Sequence, residues 1–345
     1  MTGSANPPHD GVPGFVAGRC VHEWIETASC RACVHTCPRG ALTLDDEGLT
    51  LAGAACDGCG LCVGACPQEA ITMNLPGERR GSAPVAGAMV LACERGGQGK
   101  DGATVPCVHA LGWPALVRLY HRGVRSLRVS CGECNQCARL PATRLERTLM
   151  RVNDLLASRR LPAMALERDP APSRWPWREG SGRRVAAGRR AFLRSVLSMP
   201  REDEESFVGA AALLPDPLRC GIQPWTPDID DARCTGCDAC ARLCPAGAIT
   251  RESDAAGARY RLAASHCTGC GICADLCESG AVTLTAWAVP HREQVRLHEA
   301  RCPKCGTVHH SPRLRDDGLC EVCARSRRAP WLFVVEPGDQ SASPA

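Results

Sequence analysis

Cys56-Asp57-Gly58-Cys59-Gly60-Leu61-Cys62-Val63-Gly64-Ala65-Cys66-Pro67 is the stretch from which the rest of the chain can be read. Its cysteines follow C-x2-C-x2-C-x3-C, and proline comes next. The pattern returns at Cys234, Cys237, Cys240 and Cys244, again followed by a proline, Pro245. It returns once more at Cys267, Cys270, Cys273 and Cys277, where Glu278 replaces the proline. An irregular copy is Cys30, Cys33 and Cys37-Pro38, separated from the preceding Cys20 by the insert VHEWIETAS. Two blocks, Cys20–Cys66 and Cys234–Cys277, therefore form an internal repeat.

The spacing has a chemical reason. Three thiolates on one tight loop can face three corners of an iron–sulfur cube, and the x2 gaps leave backbone N–H groups free to point at sulfur. The fourth cysteine starts a helix that points away, so it reaches a neighbouring cube. Zinc sites use paired C-x2-C steps without a third. Residues 15–80 and 226–290 resemble the two-cluster bacterial ferredoxins, and the phrases CPQEAI and CPAGAI, where Cys-Pro leads into an apolar strand, strengthen the likeness. That resemblance implies two ferredoxin-type modules with four 4Fe-4S clusters. It also implies the ligand sets by position: Cys234, Cys237, Cys240 with Cys277; Cys267, Cys270, Cys273 with Cys244; and Cys56, Cys59, Cys62 with Cys37. In the irregular run it implies Cys20, Cys30, Cys33 and Cys66, the alternatives being a three-cysteine site or one completed by His22.

Composition fits this reading. The chain has 345 residues, 26 of them cysteine, and only 4% aromatics. Its first twenty residues show no basic and apolar leader, and no apolar run approaches the roughly 18 residues that span a bilayer. A reducing cytoplasm is expected, where clustered cysteines are metal ligands more often than disulfides. The net charge of +4 is unevenly spread, and Lys occurs only at Lys100 and Lys304. The span 169–225 is rich in Pro, Gly and Arg and reads as a basic linker that could dock an acidic partner or a membrane surface. Within it, Arg189-Arg190-Ala191-Phe192-Leu193-Arg194 has the look of a twin-arginine export motif. Its mid-chain position, with no apolar stretch after it, makes a basic helix the better reading. Residues 329–345 read as a tail, Cys220 as a plain thiol, and His291, His298, His309 and His310 as lacking ligand spacing.

Residues 84–168 change style. Strands ending in Cys93 and Cys131, two helices and a strand LPAMAL predict a small parallel α/β domain, within an α+β whole. Ligands gather at the carboxyl ends of such strands, where Cys93 and Cys131 fall; Cys107, Cys134 and Cys137 lie close by in sequence. This arrangement is similar to the iron-sulfur delta subunit of methyl-viologen-reducing hydrogenases. The likeness implies a further cluster, 2Fe-2S or 4Fe-4S, on Cys93, Cys107, Cys131 and one of Cys134 or Cys137. Reduced structural cysteines are the bland alternative. Finally Cys302, Cys305, Cys320 and Cys323 form C-x2-C-x14-C-x2-C in residues 298–328, the pattern of a zinc ribbon, with a single iron as the rival metal.

No dinucleotide fingerprint, P-loop or nucleophile elbow is present. The expectation is an electron-transfer protein, not an enzyme by itself, that serves redox proteins such as dehydrogenase, hydrogenase or reductase subunits. Its rivals are a redox-responsive interaction or nucleic-acid-binding protein and a subunit of a heterodisulfide or sulfur-linked reductase complex.

Overall fold

A computed structural model of the chain describes residues 11–45, 48–73, 75, 87–96, 103–139, 143–168, 209–215, 221–255 and 257–326. Most of the basic span, with its Arg189–Arg194 motif, lies outside the described residues, as do Cys220 and the tail.

Both cysteine-rich repeats fold on one plan. In the first, Gly14–Phe15 pairs antiparallel with Ile71–Thr72, and Leu42–Asp45 with Gly48–Leu51. In the second, Gln223–Ile229 pairs with Val282–Ala288, and Ile249–Asp254 with Gly257–Leu262. Each module thus joins its first strand to its last and closes a hairpin between them. The strands start just after the Cys-Pro turns, and their leading residues, Ile71 and Ile249, are buried. Gln294–Arg296 adds a third strand beside Gly257–Leu262. Strand pairing around the second repeat thus reaches from Gln223 to Arg296.

Residues 88–168 form a four-stranded parallel sheet. Ala103–Val105 lies beside Ala88–Cys93, then Ser126–Ser130, then Ala165–Arg168. The helix Arg144–Ser158 buries Leu145, Leu149, Val152, Leu155 and Leu156, a single apolar stripe at helical spacing. The helix Trp113–His121 takes Pro114 in its first turn, where the missing N–H costs nothing. One hydrophobic core runs from Leu42, Val63 and Ile71 of the first module into Leu91, Leu127 and Val129 of this sheet. First module and sheet also touch backbone to backbone: a Cβ on Gly64 would stand 2.2 Å from the Ala110 carbonyl oxygen.

The second module docks on the same sheet domain. Buried Arg159 donates to the Ala211 carbonyl (2.9 Å) and to Gln223 Oε1 (2.8 Å). Trp287 meets Trp113 edge to face, with ring centroids 6.1 Å apart. Trp287 has a left-handed φ of 52° and sits opposite Pro224, which has no N–H to give the ladder. The C-terminal hairpin, His298–Arg301 with Val308–Ser311, packs against the second module.

Candidate metal centres

Each ferredoxin-type run holds its cysteines in a tight loop whose last thiol accepts a backbone N–H four residues on. Ala41 N–H donates to Cys37 Sγ at 3.3 Å, Ala70 to Cys66 at 3.3 Å, Ala248 to Cys244 at 3.2 Å and Ala281 to Cys277 at 3.1 Å. The irregular run thus shares the geometry of the regular ones. In the three regular runs the residue after the second cysteine adopts a left-handed φ, and twice it is glycine. The third is Asp238, φ 63°, whose carboxylate is buried and accepts the Tyr260 hydroxyl at 2.7 Å and His310 Nε2 at 2.9 Å.

Electrostatics sort the thiols into groups. Burial first, and then the neighbouring Cys66, Cys30 and Cys20 thiols, push the Cys33 thiol up to about 12. Cys62 is likewise pushed up to about 12 by burial, then by Cys59, Cys33, Cys56 and Cys37. Burial, then Cys234, Cys237 and Cys277, push Cys240 up to about 12. Cys273 is raised by burial, then by Cys267, Cys270, Cys244 and Cys240. The thiols that act on one another thus fall into the groups Cys20/Cys30/Cys33/Cys66, Cys37/Cys56/Cys59/Cys62, Cys234/Cys237/Cys240/Cys277 and Cys244/Cys267/Cys270/Cys273, with Cys33 also acting on Cys62 and Cys240 on Cys273. His22 spends its Nε2 on the Cys30 carbonyl oxygen at 2.7 Å. Buried thiols that repel one another once ionised fit a multiply charged iron–sulfur group, which stabilises the thiolate form.

The sets also touch across modules. Ser29, beside Cys30, donates its N–H and hydroxyl to Asp275, between Cys273 and Cys277, at 2.9 and 2.8 Å. Gln68, two residues past Cys66, donates to Thr268 Oγ1 at 3.0 Å and hydrogen-bonds the Cys270 thiol. On the other side, Cys59 and Leu61 share a buried cluster with Cys107. Arg139 fastens that contact. It donates to Asp57 Oδ2 (2.8 Å), the Asp57 carbonyl (2.7 Å) and the Pro106 carbonyl (2.6 Å).

In the middle block Cys93 ends the strand Ala88–Cys93, Cys107 follows Ala103–Val105, and Cys131 follows Ser126–Ser130. Cys134 opens a 3-10 turn and Cys137 ends it. A hydrogen bond between Cys93 and Cys107 lowers the first thiol and raises the second. Cys134 and Cys131 form a second such pair, with Cys134 lowered and Cys131 raised. Cys134 acts on Cys93 and Cys93 on Cys131, so these four thiols form one group. They gather at the carboxyl ends of parallel strands. The strand Ala103–Val105 that places Cys107 escapes a sequence reading, because three residues show no alternation.

Cys302, Cys305, Cys320 and Cys323 bring their sulfurs within 4.8 Å of one another. No other such group of Cys, His and carboxylate ligands occurs among the described residues. Cys305 Sγ and Cys320 Sγ are 3.7 Å apart. A tetrahedron with metal–sulfur bonds of about 2.3 Å has an edge of about 3.8 Å, so the group is sized for one ion. Backbone N–H groups of Cys320, Cys305 and Lys304 lower the Cys302 thiol to about 6. The hairpin leans on the second module at Gly236, φ 74°, where a Cβ would stand 1.8 Å from the His310 carbonyl oxygen.

No helix among the described residues is long and apolar enough to cross a membrane. Comparison with curated proteins finds no match to the chain. Residues 28–71 and residues 233–282 each match the family model of the 4Fe-4S dicluster domain, so the chain carries two iron–sulfur modules of the ferredoxin type.

Proposed function

We propose that the chain is a fixed row of redox sites that relays single electrons between partner redox proteins. The observation that carries this reading is the abutment of the cysteine loops. The order along the fold would be Cys93/Cys107/Cys131/Cys134, then Cys37/Cys56/Cys59/Cys62, then Cys20/Cys30/Cys33/Cys66, then Cys244/Cys267/Cys270/Cys273, and last Cys234/Cys237/Cys240/Cys277. Each step between neighbours in this row is supported by a contact or an electrostatic coupling: Cys59 and Leu61 share a buried cluster with Cys107, Cys33 acts on Cys62, Gln68 hydrogen-bonds Cys270, and Cys240 acts on Cys273.

Iron–sulfur clusters supply one-electron couples over a range of roughly −700 to +450 mV. The chain's own part is to hold them, exclude water and aim N–H groups at sulfur, which sets each potential. The last set ends the row nearest the surface, since Cys237 is exposed. The C-terminal four-cysteine group would hold one Zn²⁺ as a structural clamp on that end. Partners are expected to be redox proteins of dehydrogenase, hydrogenase or reductase type, in a cytoplasmic setting.

Iron, zinc and acid-labile sulfide per chain on anaerobically purified protein test this. Four cubanes give about sixteen Fe, and a middle 2Fe-2S site brings the total to about eighteen, with one Zn. Iron near zero with several Zn would sink the proposal.

A further inference from the structure

His109 follows the middle-block ligand Cys107 by two residues and is 4% exposed. Its Nδ1 accepts the Leu145 N–H at 3.0 Å, one of the first-turn donors that the Arg144–Ser158 helix cannot satisfy itself. A backbone N–H can only donate, so Nδ1 must present its lone pair there. In a neutral imidazole the proton then sits on Nε2. That Nε2 is buried and finds no partner at hydrogen-bond distance, an arrangement that is costly unless something in the site accepts from it. The ring is a direct neighbour of Cys134. With its one lone pair committed to Leu145, His109 is not a metal ligand. It is a buried donor beside a thiol of this group.

A cation addresses the same group: Arg168 Nη1 donates to Cys131 Sγ at 3.6 Å. Arg168 itself is held by an ion pair with Glu146. By contrast, the last thiols of the four ferredoxin-type runs receive backbone N–H groups, which carry no charge.

We propose that His109 donates its Nε2–H to a sulfur of the middle-block site and, with Arg168, makes that site the electron sink of the row. The inference rests on reading the middle block as an iron–sulfur site. N–H donors and positive charge stabilise the more negative reduced state more than the oxidised one, so they raise the potential. Electrons entering the row would collect at the sheet domain, and the partner that takes them would dock there. His109 is a positioning and tuning residue in this scheme, and the ligands are the four thiols.

The test uses the full chain and the EPR signal that disappears in Cys131→Ser. His109→Asn places an oxygen where Nδ1 stands, so it keeps the Leu145 contact but no longer reaches the sulfur. His109→Gln reaches the sulfur but gives up Leu145. A potentiometric titration is expected to show the midpoint of that signal fall by at least tenfold in the reduction equilibrium, about 59 mV for one electron, in His109→Asn. It should stay near wild type in His109→Gln, with equal iron in both. An unmoved midpoint in His109→Asn, or equal falls in both variants, overturns the proposal. Pulsed EPR on wild-type protein with ¹⁵N-labelled histidine needs no variant. Weak coupling from one histidine nitrogen supports the donor role, whereas strong coupling (a ligand) or none overturns it. Should no signal disappear in Cys131→Ser, and iron per chain stay unchanged, the middle-block reading itself has failed.

Discussion

Replacing Arg139 by alanine should loosen the joint between the first module and the sheet domain without touching a cysteine. Arg139 is 6% exposed and makes three hydrogen bonds, two to Asp57 and one to Pro106. Hydrogen bonds to charged groups contribute about 1.5–3 kcal/mol each, so the gross loss is several kcal/mol. Part of it is recovered, because Asp57 keeps Arg95 at 3.6 Å and some exposure to water. What remains is close to the cost of removing one partner of a buried pair, about 3 kcal/mol. Unfolding of a metal-loaded chain is irreversible, so the fitting readout is a rate. Bleaching of the visible absorption in guanidinium should run about a hundredfold faster, since each 1.4 kcal/mol or so is a factor of ten. Arg139→Lys, which keeps the charge and loses the fork, should fall between. The effect should depend on pH in a fixed direction. Burial would raise the Asp57 carboxyl, but Arg139, helped by Cys59 and Arg95, more than reverses this and leaves its pKa lowered. A lowered folded value means the contribution is complete above about pH 4 and is lost as pH falls through it. The two proteins should therefore converge in acid. Bleaching of Arg139→Ala within threefold of wild type at pH 7 would refute the reasoning.

Other perturbations follow from the same contacts. Tyr260→Phe removes the hydroxyl that donates to buried Asp238 and should cost about 1–3 kcal/mol, read as faster bleaching; iron per chain should not change. Cys305→Ser should abolish bound Zn and leave iron and sulfide counts intact, and a fall in iron would show that the hairpin is not a separate metal site. Gly236→Ala forces both a left-handed alanine and a clash with the His310 carbonyl. It should loosen the hairpin, seen as faster zinc transfer to a chromophoric chelator. Asp275→Ala breaks the Ser29 contact between modules and should weaken the magnetic interaction between their reduced sites, measured as narrowing of the EPR lines.

How much of this was legible in the sequence depends on distance along the chain. Cysteine loops are local objects: the C-x2-C-x2-C-x3-C spacing is set by a few consecutive dihedrals, so both modules can be read from it. Helix Arg144–Ser158 is legible for the same reason, from a stripe that repeats every turn. What was hidden depends on partners far away. Asp238 occupies a left-handed position that the other regular runs give to glycine, and nothing near it in sequence explains the choice. Its reasons are Tyr260 and His310, 22 and 72 residues on. His109 is equally silent in sequence, since its role depends on a helix N–H 36 residues later. Among the middle cysteines, spacing leaves Cys134 and Cys137 as equals, and only in the fold does Cys134 come beside Cys131 and Cys93.

A relay of two modules swinging on a linker and a fixed row make different demands on the protein. Swinging needs weak contacts between the parts. Here the second module is tied to the sheet domain by buried Arg159, which satisfies a carbonyl and an amide oxygen there, and by the Trp113–Trp287 contact. The first module shares one continuous core with that domain. Parting them would strand buried polar groups and expose apolar surface together. Electron tunnelling falls steeply with distance, so such contacts do more than hold the shape: they fix the spacing between sites. The polar contacts at Ser29 and Gln68 then need supply little stability of their own. They lie where the two modules' cysteine loops meet, and their service is to keep that one gap short.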